Sequence, residues 1–140
     1  MESCARLTLK NAKIDALQLL QHSWPNIERT FSKEIRKRLA WQGEIYIDKA
    51  GAEQRLKDAV FVDPSEQSFE NGEFMYNGMT DGDMIWIEPC VEYEQMVGTL
   101  VHEALHDCVY LVRPTRAGNY RGLSCDFEHA VFEYLPIEGI

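Results

Sequence analysis

His102, Glu103 and His106 form an HExxH within Thr99–Leu111, which reads TLVHEALHDCVYL. On a helix, side chains four residues apart stand one turn above each other, so the two imidazoles face a common point. Two nitrogen ligands at that separation suit a tetrahedral zinc ion. Glu103 lies about 100° around the helix from the first histidine, off the metal yet within reach of a water beside it. Zinc makes such a water acidic near neutral pH; a carboxylate there takes its proton, and the hydroxide attacks a carbonyl polarised by the same ion. The expected chemistry is metal-assisted hydrolysis with one zinc per chain, His102 and His106 as ligands and Glu103 as general base. Five residues of this kind also meet by chance, so the surroundings matter. Val97, Leu100, Val101, Leu105 and Val109 flank the motif. They read as the buried stripe of a core helix, where a bare histidine is costly unless paired.

A third ligand has to come from elsewhere. Ser124–Phe132 reads SCDFEHAVF and offers Asp126, Glu128 and His129. At ~100° per residue, Phe127, Ala130, Val131, Phe132, Tyr134 and Leu135 span an apolar arc of about 200°. Glu128 falls inside that arc, whereas Asp126, His129 and Glu133 fall on the polar face. A carboxylate among apolar neighbours is costly without a cation or strong donors. Zinc would supply the cation, so Glu128 is the expected third ligand, with His129 its rival and Asp126 the weaker choice. A salt bridge from Glu128 to Arg113, Arg116 or Arg121 is the non-metal alternative. Asp107 reads as a solvated charge, Cys108 as core and His22 as surface. Tyr110, Tyr120 and Arg116 are candidates to stabilise an oxyanion, and the spacing selects none of them.

These side chains need elements to hold them. Asn11–Gln21 has helical spacing, with Ile14, Leu17 and Leu20 on one stripe, and Ser23-Trp24-Pro25 resets the chain. From Pro25 to Ala40, Ile27, Phe31, Ile35 and Leu39 recur every four residues, predicting a second helix with Gly43 as its stop. The middle of the chain changes period. Glu44–Asp48, Ala59–Val62, Phe74–Tyr76 and Met84–Ile87 read as short strands, separated by turns at Asp63-Pro64, Asn71-Gly72, Asn77-Gly78 and Asp81-Gly82. A helix follows from Val91 through Val112, and a last one spans Cys125–Leu135. The order predicts an α+β domain: N-terminal helices, a small mixed β-sheet, the HExxH helix and a C-terminal helix.

The 140 residues suffice for one core, so residues 1–140 are read as a single domain. With 45% hydrophobic and 11% aromatic residues the chain is of globular type. The net charge of −9 argues against a nucleic-acid partner; the densest basic cluster, Lys33, Arg36, Lys37 and Arg38, sits within one helix. Glu2 and Arg6 interrupt the N-terminus where a signal peptide needs an apolar run, and no apolar stretch reaches membrane-spanning length. The expectation is an intracellular protein with no membrane partner. Cys4, Cys90, Cys108 and Cys125 form no CxxC pair and read as reduced thiols.

Met84–Leu111, MIWIEPCVEYEQMVGTLVHEALHDCVYL, is similar to the core of zincin metalloproteases and particularly resembles SprT-like proteases, the Spartan and Wss group. The resemblance implies a minimal zincin-like domain that hydrolyses peptide bonds in peptide or protein substrates. It also implies that Ile85, Trp86, Ile87 and Glu88 form the strand on which substrate is added as a further strand. SprT-like proteins take the third ligand from a histidine followed by glycine and an aromatic residue, which nominates His129, although Ala130 stands where that glycine would be. Glu128–Phe132 is similar instead to the E-A-N-x-F-A helix of ImmA/IrrE-type proteases and other gluzincins, which nominates Glu128, although the asparagine is absent. Two other functions stay open: a non-proteolytic zincin-fold module with a structural zinc, and a DNA-associated SprT-like protease, against which the acidic composition weighs.

Overall fold

One apolar stripe organises the first part of the chain. The computed structural model describes residues 2–61, 69–70, 73–74, 78–88, 92–112, 120–137 and 140. In it Leu9, Ala12, Ala16, Leu20, Trp24, Ile27, Phe31 and Ile35 are all buried, three or four residues apart. The stripe keeps its phase through Pro25, which lies on the exposed face. The two expected helices are therefore one, α1 (Glu2–Arg38). A proline inside a helix costs about 3 kcal/mol, and burying a continuous stripe offsets that. The expected break at Ser23-Trp24-Pro25 is corrected accordingly.

The helix stops earlier than Gly43. Ala40 takes a left-handed conformation (φ 48°) two residues past Arg38. Gly43 has a packing role instead: a Cβ there would stand 2.9 Å from both the Trp41 ring and the Val112 carbonyl oxygen.

Strand β1 (Glu44–Ile47) follows, then a helix the sequence reading did not contain, α2 (Lys49–Asp58). The Asp48 side chain caps α2 by accepting from the Gly51 N–H, and Ala52, Arg55 and Leu56 form its buried face. Next come β2 (Val60–Phe61), β3 (Phe69–Glu70), β4 (Glu73–Phe74), β5 (Gly78–Thr80) and β6 (Ile85–Ile87). The Asp81-Gly82 turn stands as expected, with Asp81 Oδ1 accepting from the N–H groups of Asp83 and Met84. The expected turns at Asp63-Pro64 and Asn71-Gly72, residues 62, 75 and 76 of two expected strands, and Asn77 lie outside the described residues.

Helix α3 (Tyr93–Leu105) is shorter than the expected Val91–Val112. Asp107 turns left-handed (φ 60°), and Val109–Val112 then forms strand β7 rather than a last helical turn. β-Branched Val109 and Val112 suit a strand, and β7 pairs antiparallel with β1 from Ile47↔Val109 to Glu44↔Val112. Strand β8 (Tyr120–Gly122) pairs with β7, and α4 (Cys125–Phe132) ends the set, capped by Ser124, whose hydroxyl accepts from the Phe127 N–H.

The class is α+β, as the element order predicted. The strands make two three-stranded sheets, ordered β1-β7-β8 and β2-β6-β5, and a β3-β4 pair. In the second sheet β6 is the middle strand, parallel to β2 and antiparallel to β5. Helix α3 lies between α1 and these strands, burying Met96, Leu100, Val101, Ala104 and Leu105. The Tyr93 hydroxyl donates to the Asp15 carboxylate and ties the start of α3 to α1. Among the described residues no helix is long and apolar enough to cross a membrane.

Ala40 is exposed and holds a backbone conformation that favours glycine. Ala40→Gly is expected to raise unfolding stability by about 0.5–1 kcal/mol, read as a higher urea midpoint at unchanged slope.

Candidate metal centre

The HExxH straddles a helix end. His102 and Glu103 lie on α3, whereas His106 is the first residue beyond it, with extended backbone. Its N–H still donates to the His102 carbonyl at 3.3 Å, so the one-turn relation between the histidines survives.

Helix termini leave carbonyls without partners, and these carry the negative end of the helix dipole. Here two of them and two carbonyls just beyond the helix are met by named donors. Buried Arg55 of α2 donates through Nη2 to the carbonyls of Ala104 (2.7 Å) and His106 (3.1 Å). The Cys108 thiol donates to the Leu105 carbonyl at 3.1 Å, and burial pushes that thiol up to about 12, so it stays protonated. The Cys108 carbonyl accepts from the Asp48 N–H at 2.7 Å. Sequence reasoning missed Arg55 because KAGAEQRLKD reads as a solvated charged segment; the available signal was its place between Ala52 and Leu56 on one helix face.

Three imidazoles converge at this turn. His106 Nε2 lies 3.0 Å from His102 Nε2 and 3.1 Å from His129 Nε2. The ligand atoms of the three histidines all lie within 4.8 Å of one another, close enough to hold a metal ion. Phe132 packs in a T-shaped arrangement with all three rings, at centroid distances of 4.8, 5.1 and 5.9 Å. The far nitrogens of two rings are already committed: His102 Nδ1 is 3.0 Å from the Ile140 backbone oxygen, and His106 Nδ1 is 2.9 Å from Glu128 Oε1. Both partners accept hydrogen bonds, so both Nδ1 atoms carry the proton. In the neutral rings the two Nε2 atoms then face each other as lone pairs. Such a pair is stable only with a proton or a cation between, and three imidazoles suit zinc, copper, iron or nickel.

The third ring is His129, not Glu128. Glu128 is buried, 2% exposed, as its place in the apolar arc of α4 predicted. Its charge is met by hydrogen-bond donors instead: Oε1 takes His106 Nδ1–H and Oε2 takes the Asp107 N–H at 2.8 Å. It therefore stands behind His106, on the side away from the converging nitrogens. Donors rather than a cation meet it, one of the two ways the sequence reading allowed, and His129, the rival for the third position, is the residue that joins His102 and His106. Asp126 is exposed and outside it. Arg121 is exposed on β8, while Arg113 and Arg116 lie outside the described residues.

Burial lowers the His102 imidazole below its ordinary pKa, the Ile140 contact opposing it only in part. Burial acts likewise on His106, but the hydrogen bond and charge of Glu128, with Glu103 and Asp107, outweigh it and hold that ring above its ordinary value. Glu103, also buried, is raised by burial, with Asp107 and Glu128 adding and His106 opposing. That is the direction a general base for neutral pH requires.

Ile85, Trp86 and Ile87 form β6, and Glu88 follows it. Both edges of β6 are taken, by β2 and β5, so they cannot receive a peptide as a further strand. Among the described residues the outer partner on the α3 side is β5. A Cβ on Gly78 would stand 2.7 Å from the Thr99 methyl, and one on Gly82 would stand 3.6 Å from Asp107 Oδ2. The strand and its turn thus follow α3 past the HExxH. A recess of about 480 Å³ opens beside His102 and His129, lined also by Phe132, Glu133, Leu135 and Ile137. Of the oxyanion candidates, Tyr110 stacks on Tyr46 in the other sheet, Arg116 lies outside the described residues, and so does the Tyr120 side chain.

Comparison with protein-family models, with curated proteins and with solved structures finds nothing that matches this chain.

His129→Ala is expected to abolish stoichiometric zinc binding, measured by elemental analysis after dialysis; full occupancy in that variant would return the third position to another group. The raised His106 pKa means that protons compete with metal at higher pH than for a free imidazole. Zinc affinity is therefore expected to fall as pH is lowered from about 8 to about 6, by chelator competition. A flat profile would exclude histidine ligation.

Proposed function

We propose that this protein is a zinc-dependent metallopeptidase, with His102, His106 and His129 holding one zinc per chain and Glu103 as general base. The observation that carries the proposal is the convergence of three Nε2 atoms, two of them on rings whose Nδ1 protons are already donated elsewhere. Zinc at such a centre supplies an acidified water and a Lewis acid for a carbonyl.

The chain's own residues do the rest. Glu103 follows the first ligand directly, in a buried setting that raises its proton affinity. It takes the proton from the attacking water and returns it to the leaving amine. His102 and His106 stay in one tautomer because Ile140 and Glu128 occupy their far nitrogens. The β5 edge, rather than Ile85–Glu88, is the strand suited to aligning an extended peptide, because β5 and its turn run beside α3. The recess beside His102 and His129 leaves room for a substrate side chain.

Glu103→Gln tests the proposal against the alternative of a purely structural zinc. The variant is expected to retain one zinc while losing hydrolysis of an unfolded protein substrate by about 100-fold or more. Equal inertness of wild type and variant would favour the structural role.

A further inference from the structure

We infer that Glu128 is the positioning residue of this centre, one carboxylate that orients the ring of ligand His106 and anchors the backbone immediately after it. The inference rests on the metal reading of the three histidines and is independent of whether the protein hydrolyses peptides.

The geometry uses both carboxylate oxygens. Oε1 meets His106 Nδ1 at 2.9 Å and Oε2 meets the Asp107 N–H at 2.8 Å. An ionised carboxylate only accepts, so His106 must present Nδ1–H to it and keep the Nε2 lone pair for the cluster. A carboxylate behind a ligating imidazole fixes ring orientation and makes the ligating nitrogen more basic. The second bond matters as much. Asp107 holds a left-handed backbone (φ 60°) just beyond the helix end, and its N–H is fastened by the same group that fastens the ring. His106 is thus held by side chain and backbone together, while Arg55 holds its carbonyl from α2. Glu128 and His129 are consecutive on α4, so one short helix delivers both a ligand and the residue that orients another.

The test is zinc titration of wild type, Glu128→Gln, Glu128→Ala and His129→Ala against a chromophoric chelator. Imidazole ¹H–¹⁵N spectra of the zinc-loaded proteins accompany it. Gln keeps the volume and can accept from His106, but its amide then presents N–H groups to the Asp107 N–H. Glu128→Gln is expected to bind one zinc about 10- to 100-fold more weakly, with a shifted His106 Nδ1 resonance and an unshifted His102 one. Glu128→Ala is expected to bind more weakly still, and His129→Ala to lose stoichiometric binding. Unchanged affinity and an unchanged His106 resonance in Glu128→Gln would overturn the inference. So would loss of zinc in Glu128→Ala with retention in His129→Ala, which would make the carboxylate itself a ligand. The wild-type spectrum needs no variant to fold: His106 ligating through Nδ1 would overturn the inference directly. Wild type that binds no zinc would overturn the metal reading itself, an outcome separate from all of these.

Discussion

Two imidazole nitrogens 3.0 Å apart, both expected to be lone-pair acceptors, form the constraint on which this molecule turns. Left alone they repel, and packing against Phe132 holds the two rings in place. The arrangement persists because each ring is fixed from behind by an acceptor. Those acceptors come from far apart in sequence: Ile140 for His102, and Glu128 for His106. A cation at the convergence would turn the same geometry from a cost into a source of binding energy, and the three histidines lie close enough to hold one.

Holding that geometry is the task of the framework. Helix α1 provides a continuous apolar face for α3, and its Pro25 is tolerated because it points away from that face. Helix α2 is short, yet its buried Arg55 binds two carbonyls at the end of α3. Its cap, Asp48, continues β1 and ties the backbone of Cys108. Strand β7 leaves the HExxH turn and pairs at once with β1, so the turn is braced on both sides. The left-handed Asp107 is the local cost of reversing the chain immediately after His106, and the Glu128 bond to its N–H offsets it.

What the sequence made legible follows from periodicity. The Ile27–Ile35 stripe of α1, the stripe of α3, the strand at Ile85–Ile87, the α+β class and the burial of Glu128 were readable, because each expresses which face avoids water. Ahead of Pro25 the expected stripe included Ile14, which is exposed, while Ala12 and Ala16 are buried. Which residue of α4 joins the two motif histidines was not readable. Glu128 and His129 are neighbours about 100° apart on a helix, and burial identified the carboxylate as needing partners without saying which. The sequence pattern held no sign that the His106 ring and the Asp107 N–H would supply them across the chain. The helix end within HExxH was hidden for a similar reason: Val109–Val112 continues the apolar pattern of α3, and only pairing with β1 makes it a strand. Placing β6 at the centre of its sheet likewise depended on which strands flank it, and that information is non-local.

The short last helix shows how site and fold support each other. At eight residues α4 is below the length at which a helix holds itself in water. It depends on the Ser124 cap, on burial of Val131 and Phe132, and on the bonds Glu128 makes to the HExxH turn. A ligand bound only by the native state stabilises it by about 2.7 kcal/mol at one hundred times its dissociation constant. Three ligands drawn from α3, the turn after it and α4 would direct that energy to the junction of these elements. Orienting the His106 ring and docking the final helix are therefore one physical act, carried by Glu128.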